Sequence, residues 1–388
     1  MILLVGLFVG LLRCLVTNFR FTGFSTMDNP LVAVECSWKR VLLALSLISR
    51  NFKLLLIPRD LCHDWSFGTF DISQINFLQL GQSLLLLLAA LEFGRRANRF
   101  AQFSLLWLSI CYLPISNIIL LVGFVQAERC LYLLIPPFLT LMGHGVEIIS
   151  KEIPKDVFKL LKFLTIALYI GKTWQRAEEW SSEYLLNSSA VKLGSLKSQV
   201  NLAAILGEEG RYNISEALLQ NALKKRQTSD IYYNLGLMQQ KTSQLEKAKD
   251  SYTRCLQLRG RHVLCQLNLG VLYESYSNYS TSEKLYKGCH EENLSCRFNY
   301  ARINYDFGRY EKAVAILTEA AHALLATREN LQYSRKERAS FFNLLSISLL
   351  KLKKIEQAKY WNEQSLIQNP NHVPARTANQ LLRNITQK

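Results

Sequence analysis

The chain has 388 residues, of which 49% are hydrophobic, and a formal net charge of +16 at pH 7. This length accommodates two or three domains, and the average composition conceals two unlike parts: long apolar runs up to about residue 173, then a polar, charged and helically patterned remainder. The basic residues are dispersed and many flank apolar runs, where they set membrane orientation, so the charge argues against nucleic-acid binding.

Four or five apolar segments qualify as membrane spans, because about 20 helical residues cross about 30 Å of hydrocarbon, and the fifth is short, with Lys159 and Lys162 near its start. The first, MILLVGLFVGLLRCLV, has no basic region before its apolar run and no small-residue cleavage site, so we interpret it as a span and not as a signal peptide. The other four lie at about 74–93, 101–124, 130–149 and 157–173. We expect Pro114 to kink the third span.

One further apolar segment, residues 39–58, is predicted to lie on the membrane surface. Arg50 and Lys53 fall near its middle, and a basic residue at the centre of a span costs about 2.5–3.5 kcal/mol on insertion scales. An amphipathic interfacial helix avoids that cost.

Charge in the short loops then predicts the orientation of the chain. Three arginines separate the second and third spans, and two lysines separate the fourth and fifth, so both loops are expected in the cytosol. The residues are Arg95, Arg96, Arg99, Lys151 and Lys155. The predicted fold is therefore all-α: a polytopic helical membrane domain over 1–173, followed by a lumenal domain over 174–388.

Sequons give a separate, weaker indication of a lumenal second part, because N-glycosylation requires Asn-x-Ser/Thr on that side. The candidates are Asn187, Asn213, Asn278, Asn293 and Asn384. Chance occurrence in a chain rich in Asn and Ser remains the alternative.

The second part is an array of helical repeats. The segments 201–223, 234–256, 268–290 and 299–321 align without gaps, and a fifth, 343–370, follows a longer connection. Their spacing is close to the period of the tetratricopeptide repeat, a helix-turn-helix unit. Small residues recur where the two helices of each unit must approach: Ala203, Gly236, Gly270 and Ala301 in the first helix, and Ser215, Ala248, Ser282 and Ala313 in the second. Stacked units of this kind are expected to form a right-handed superhelix.

Two further patterns run through the array. Asparagine recurs at one position of the first helices, at Asn201, Asn234, Asn268 and Asn299. It resembles the asparagine ladder with which tetratricopeptide superhelices of glycosyltransferases bind extended peptides; the alternative is a solvent-facing residue common at this position. Cysteines flank two repeat junctions, as Cys255 with Cys265 and Cys289 with Cys296. These pairs are predicted disulfides in an oxidising lumen or, alternatively, small buried thiols. No Cys or His cluster has the spacing of a metal site.

Five sequence boxes, in order, carry a resemblance to a known family. They are DNP (28–30), CHDWSFG (62–68), LPISNIILLVGFVQAERCLYL (113–133), YIGKTWQRAEEWSSEYLLNSSA (169–190) and then the repeats. The order resembles the transmembrane and tetratricopeptide-repeat-containing (TMTC) family over nearly the whole chain. That family is similar to GT-C protein O-mannosyltransferases of the endoplasmic reticulum, which transfer mannose from dolichyl phosphate mannose to Ser or Thr of secretory-pathway proteins such as cadherins. The resemblance implies this donor, no bound cofactor, and lumenal acceptor or partner proteins beside the membrane lipid.

The resemblance also suggests where the donor phosphate binds. Glu128 and Arg129 are predicted at the lumenal end of the third and fourth spans, where Arg129 can hold a phosphate and Glu128 can orient it. A surface salt bridge that only orients the span is the alternative. His63 and Asp64 are similarly placed, although Trp65 as an interfacial anchor also explains their motif.

No catalytic acid can be assigned from the sequence. The family carries its acidic motif in the first lumenal loop, which is expected upstream of residue 1, and the lumenal candidates Asp28, Asp64, Asp71 and Glu128 do not match it. The chain is thus predicted to be either part of a transferase or a catalytically inactive, membrane-anchored scaffold that binds lumenal proteins. A transporter is disfavoured, because the spans show no internal repeat and few buried ionisable residues.

Overall fold

The computed structural model describes residues 24, 28–65, 72–119, 121–326 and 334–386, and this part of the chain is all-α, as predicted. It forms two compact units, residues 1–225 and 226–388. The helices of the first unit are α1 (Ser37–Leu56), α2 (Phe77–Arg96), α3 (Arg99–Tyr112), α4 (Glu128–Leu131), α5 (Ile135–Ile149), α6 (Lys155–Glu179), α7 (Glu183–Lys192), α8 (Leu196–Glu208) and α9 (Tyr212–Lys225). Those of the second are α10 (Ser229–Lys241), α11 (Leu245–Leu258), α12 (Val263–Ser275), α13 (Tyr279–Cys289), α14 (Leu294–Asp306), α15 (Tyr310–Ala326), α16 (Arg335–Lys351), α17 (Ile355–Gln368) and α18 (Val373–Thr386).

Among the described helices, two are long and apolar enough to cross a membrane. They are α2 and the continuous helical stretch Glu128–Ile149, which joins α4 to α5 through a 3₁₀ turn. Large apolar side chains such as Leu85 and Leu139 are exposed on both, whereas a core helix would bury them. The predicted first span lies outside the described residues, and α6, which covers the predicted fifth span, carries several lysines along its length.

The predicted third span is wrong over its second half. Helix α3 has 14 residues, or about 21 Å at 1.5 Å per residue, and a 3₁₀ turn that contains Pro114 ends it. Beyond the turn, the Asn117 side chain accepts a hydrogen bond from Val122 N at 3.1 Å and donates to Phe124 O at 3.1 Å. Because these contacts replace helical hydrogen bonds, the chain continues there as a loop.

Helix α1 matches the predicted surface helix in position, and three of its hydrogen bonds reach the first half of α2 or the segment before it. Lys39 Nζ donates to Ser73 O at 3.0 Å, Ser49 N to Ser83 Oγ at 3.0 Å, and Lys53 Nζ to Gln82 Oε1 at 2.9 Å. These contacts lie at the end of α2 opposite to Arg95 and Arg96. Helix α1 therefore lies toward the end of the helices that the loop charges predict to be lumenal.

The repeats form pairs of helices as their sequence predicts. One pair, α8 and α9, belongs to the first unit, and the second unit contains α10–α11, α12–α13, α14–α15 and α16–α17. All eight small residues at the helix contacts are buried. A Cβ atom on Gly270 would lie 2.6 Å from Tyr286 Cε1, so only glycine permits this approach of α12 to α13.

The turn within each pair repeats one backbone feature. A residue with positive φ lies between the two helices at Gly210, Ser243, Ser277, Gly308 and Lys353. Since L-residues rarely adopt this conformation, its recurrence at one repeat position shows that all five predicted units share a single turn geometry.

Candidate functional site

The four boxes that precede the repeats meet at one place in the first unit. Trp65 N donates to Gln126 O at 2.8 Å, and Glu128 N donates to Cys62 O at 3.3 Å, so residues 62–65 pair with residues 126–128. Trp65 and Cys62 pack against Ala190 of α7. We call this region, residues 62–65 and 124–129 with the adjoining ends of α6, α7 and α8, the junction.

The DNP box fixes the loop that leads into the junction. Asn29 is fully buried; its Nδ2 donates to Asn117 Oδ1 and to Val122 O, both at 2.8 Å, while its Oδ1 accepts from Leu31 N at 2.9 Å. Buried amides of this kind must be hydrogen-bonded. Asn29 and Asn117 together therefore determine the path of the loop toward Val125.

A second polar chain joins the junction to α1 and α3. Gln126 Nε2 donates to Asn51 Oδ1 at 2.7 Å, and Asn51 Nδ2 donates to Tyr112 Oη at 3.0 Å. Both amides are buried, so the contacts fix residues 124–129 against two helices of the apolar part of the chain.

Glu128 is the centre of the first ionic cluster. Arg176 Nε donates to both carboxylate oxygens, at 3.1 and 3.0 Å, and Arg176 Nη2 forms an ion pair with Oε1. Trp180 Nε1 adds a hydrogen bond to Oε1 at 2.9 Å, and Arg176 also contacts Glu179 and Ser189. The side chains of Arg176 and Glu128 are only 11% and 8% exposed. Glu128 thus orients Arg176 at the end of α6, whereas the sequence suggested that it orients Arg129.

Lys197 is the centre of the second cluster. Its Nζ lies 2.8 Å from Asp28 Oδ1 and 3.0 Å from Asp64 Oδ2. Burial raises the pKa of Asp64 despite the charge of Lys197. Burial alone would lower the pKa of the less buried Lys197. The hydrogen bond to Asp28 and the charge of Asp64 outweigh burial, so the pKa of Lys197 is raised. Asp64 is only 2% exposed, so it anchors α8 to the junction and lies away from the surface.

Arg129 is the cation that remains exposed. Its Nη1 donates to His63 O at 3.2 Å, and its guanidinium lies 5.6 Å from the centre of the Phe124 ring. It forms no ion pair with another described residue, but its charge acts on the buried Asp64 and opposes the rise in the pKa of that carboxyl group. The pKa of the neighbouring His63 is lowered, first by burial and then by the charges of Arg129 and Arg176.

None of the described acids that the sequence offered as lumenal candidates is free for general base catalysis, whereas Glu178 and Glu183, at the adjoining ends of α6 and α7, are exposed. Glu128 and Asp64 are buried and ion-paired, and Asp28 is paired with Lys197; Asp71 lies outside the described residues. Sequence reasoning missed the roles of Arg176, Trp180 and Lys197. The first two lie inside a quoted box, but Lys197 carries no local signal.

The repeat asparagines have different surroundings. Asn201 is exposed, Asn234 Nδ2 donates to Asp230 O at 2.9 Å, and Asn268 Nδ2 donates to Tyr252 Oη at 3.3 Å. Asn299 lines a cavity of about 340 Å³. Of the four, Asn201 and Asn299 have side chains without a hydrogen bond to another described residue.

The sequons differ in accessibility. Asn213, Asn278 and Asn384 are exposed, and Asn293 is half-buried at the N-terminus of α14. Asn187 is 6% exposed, and its Nδ2 donates to Glu183 O at 2.9 Å inside α7. The side chain of Asn187 is therefore poorly accessible to glycosylation in the folded chain.

The four repeat cysteines form the two predicted pairs. Disulfides join Cys255 to Cys265 and Cys289 to Cys296, with Cα atoms 6.5 and 5.8 Å apart. His262 lies beside the first pair, and its ring nitrogen and the two sulfurs are within 4.8 Å of one another. Metal binding requires thiolates, which sulfurs bonded to each other cannot supply.

The fold and the junction thus define, over the described residues, an all-helical protein whose apolar N-terminal part is joined by ion pairs to α6 and to α8, the first helix of its tetratricopeptide repeats. Comparisons with known proteins agree with this class. The profile described as "Protein O-mannosyl-transferase TMTC, DUF1736" matches residues 18–80, and a tetratricopeptide repeat profile matches residues 229–262. The resemblance to the TMTC family is confirmed by these two matches.

The relatives share sequence with much of the chain. A protein O-mannosyl-transferase of Caenorhabditis elegans is 31% identical over 56% of this chain and 32% of its own length. Protein O-mannosyl-transferase TMTC3 of Homo sapiens is 30% identical over 62% of this chain and 28% of its own length. The chain therefore spans about a third of the length of these relatives. Among solved structures, the tetratricopeptide protein YrrB is 15% identical and covers 50% of this chain, with a TM-score of 0.40.

Proposed function

We propose that this chain functions as an endoplasmic-reticulum membrane protein O-mannosyl-transferase of the TMTC type, with its repeats in the lumen. In this proposal it transfers mannose from dolichyl phosphate mannose to Ser or Thr of secretory-pathway proteins such as cadherins. The match to the TMTC profile and the names of the relatives support the general activity. Donor, acceptor and location are parts of the proposal.

The observation that carries the donor site is the exposed guanidinium of Arg129 at the junction. A guanidinium with several free N–H groups matches the geometry of a phosphate. The contacts with His63 O and the Phe124 ring hold it in place, so little side-chain entropy is lost on binding. Of the four residues proposed from the sequence, Arg129 binds the phosphate, and the backbone carbonyl of His63 positions the Arg129 guanidinium. Glu128 and Asp64 support the surrounding backbone.

An apolar cavity in the same unit suits the lipid chain of the donor. It has a volume of about 1000 Å³ and lies between α5 and α6, with Leu55, Phe138, Met142, Ile166 and Trp174 among its lining residues. In a membrane an isoprenoid chain outside the cavity already contacts lipid, so its burial gains no free energy of transfer from water. The cavity therefore selects the shape of the chain and not its hydrophobicity.

A second function, a scaffold without transferase activity, is favoured by the pairing of three carboxylates that the sequence offered as lumenal candidates. Activation of an acceptor hydroxyl needs a carboxylate within hydrogen-bond reach, and Asp28, Asp64 and Glu128 are all engaged in ion pairs. In this reading the repeats bind lumenal proteins and the membrane part holds them at the bilayer.

Transfer of labelled mannose separates the two functions. Microsomes that contain the chain receive labelled dolichyl phosphate mannose and a cadherin ectodomain, and O-linked mannose on the ectodomain is measured against microsomes without the chain. Chain-dependent transfer supports the transferase. Absence of transfer, with the ectodomain still co-purifying with the chain, supports the scaffold.

A further inference from the structure

Two cysteines and a histidine lie together where α11 meets α12 in the second unit. Cys255 is near the end of α11, His262 directly precedes α12, and Cys265 is in the first turn of α12. All three residues are buried, and a ring nitrogen of His262 and the two sulfurs lie within 4.8 Å of one another. We call these three residues the α11–α12 cluster.

The orientation of His262 is that of a metal ligand. Its Nδ1 accepts a hydrogen bond from Cys265 N at 3.2 Å, and its Nε2 lies 3.4 Å from Asp230 Oδ1. Because Nδ1 is an acceptor, Nε2 carries the proton of the neutral ring. A carboxylate beside the protonated nitrogen is the arrangement that orients metal-binding histidines. The lone pair of Nδ1 is thus directed toward the start of α12, which carries Cys265.

The other disulfide of the repeats lacks a third ligand. Cys289 and Cys296 join the next two repeats in the same manner. His290 follows Cys289 in the sequence, but its Nδ1 lies 2.7 Å from Lys287 O. Among the described residues, only the α11–α12 cluster brings three such ligand atoms together. The chain therefore contains its own comparison, a cysteine pair with histidine and a cysteine pair without it.

Reduction turns the disulfide of the α11–α12 cluster into two ligands. A small dithiol supplies two electrons and two protons, so the bond between the sulfurs breaks, two thiols form, and the dithiol becomes a disulfide. Each thiol then releases its proton to water when its sulfur binds a metal ion. Cys265 is the third residue of α12, and the positive N-terminal end of a helix favours a thiolate.

The charge and the geometry of the reduced cluster suit Zn²⁺. Two thiolates balance the charge of the ion and a neutral imidazole adds none, so burial of the complex avoids the cost of an isolated charge. Zinc lies about 2.3 Å from sulfur and about 2.0–2.1 Å from nitrogen, so the ligand atoms of a tetrahedral site are roughly 3.5–3.8 Å apart. Rotation of the two cysteine side chains reaches these distances once the disulfide bond is broken. Thiolate and imidazole ligands favour zinc over calcium or magnesium.

We propose that Cys255, His262 and Cys265 bind one Zn²⁺ ion when the chain is reduced, with Asp230 orienting the imidazole. The disulfide and the metal are then alternative links between α11 and α12. Both links join the second helix of one repeat to the first helix of the next, so the contact between these repeats is retained in either redox state. The site goes beyond the proposed function, because it requires neither a sugar donor nor an acceptor.

Zinc content of the full chain in nanodiscs tests the proposal. The chain is reduced with a small dithiol, separated from it by gel filtration without oxygen, and incubated with zinc sulfate, and bound zinc is measured by elemental mass spectrometry. The double variant Cys255→Ser with Cys265→Ser is expected to bind one zinc ion fewer per chain than the reduced wild type. The matched control, Cys289→Ser with Cys296→Ser, is expected to retain that ion. The unpaired cysteines of the chain are present in both variants, so zinc bound to them cancels in the comparison.

Variants of the other two residues test the ligand set while both cysteines remain. His262→Asn can still cap α12, and formation of its disulfide on oxidation verifies the fold; we expect its zinc affinity in the reduced chain to fall by about tenfold or more. Asp230→Asn is expected to lower the affinity about tenfold, as loss of an orienting carboxylate does at other sites. Equal zinc content in the two double variants, unchanged affinity in His262→Asn, or no zinc in the reduced wild type would overturn the proposal. Since no donor lipid or mannose is present, these outcomes are independent of transferase activity.

Discussion

Replacement of Glu128 by glutamine should destabilise the first unit strongly, because it removes one charge from a buried ion pair. The loss of one partner of such a pair costs about 3–5 kcal/mol. Arg176 keeps its contacts with Glu179 and Ser189, and glutamine can still accept from Trp180, so we expect about 2–3 kcal/mol, below that range. The control Glu92→Gln, which breaks an exposed pair with Arg96, should change little.

A double-mutant cycle measures this prediction. The free energy of unfolding in detergent is determined for the wild type, Glu128→Gln, Arg176→Gln and the double variant. Contact between the two side chains predicts a coupling energy above about 1 kcal/mol, whereas independent sites add within about 0.5 kcal/mol. Additivity would refute the central position of Glu128 in the junction.

Three further predictions follow from particular contacts. Gly270→Ala should cost about 1–3 kcal/mol, because its Cβ would lie 2.6 Å from Tyr286 Cε1; Gly260→Ala, with no atom within 4 Å, is the control. With lumenal repeats, endoglycosidase H should shift the mobility of the chain made in microsomes, and Asn213→Gln with Asn278→Gln should reduce the shift while Asn187→Gln leaves it unchanged. No shift in the wild type would contradict the lumenal location. Because the pKa of His63 is lowered in the fold, the unfolded chain binds its proton first, so the stability of the first unit should fall as pH falls through about 6.5. His63→Gln should make this loss smaller, and an unchanged pH profile would contradict it.

The repeats could be predicted because their information is local and periodic. Small residues such as Gly236 and Ala248 recur at a fixed spacing, and each has a partner within one helix pair. The short α3 could not be foreseen, since beyond the 3₁₀ turn that ends it the side chain of Asn117 holds an otherwise apolar run as a loop. A hydropathy pattern does not show where side-chain hydrogen bonds replace those of the backbone.

The junction was predicted as a set of motifs but not as a set of contacts. Glu128 pairs with a residue 48 positions away, and Lys197 pairs with Asp28 and Asp64 at separations of 169 and 133. A single sequence identifies charged residues in apolar surroundings, but it does not select their partners among many others. Arg129 was therefore assigned to Glu128 as its neighbour, whereas the fold places Arg176 there.

Binding of the donor lipid to Arg129 tests the central claim most directly. Native mass spectrometry of the chain in nanodiscs with dolichyl phosphate mannose should show a bound donor, and Arg129→Gln should lower its occupancy about tenfold or more. Arg99→Gln, at the opposite end of α3, should leave occupancy unchanged. Equal occupancy in the wild type and Arg129→Gln, or no bound donor at all, would contradict a donor-phosphate site at the junction.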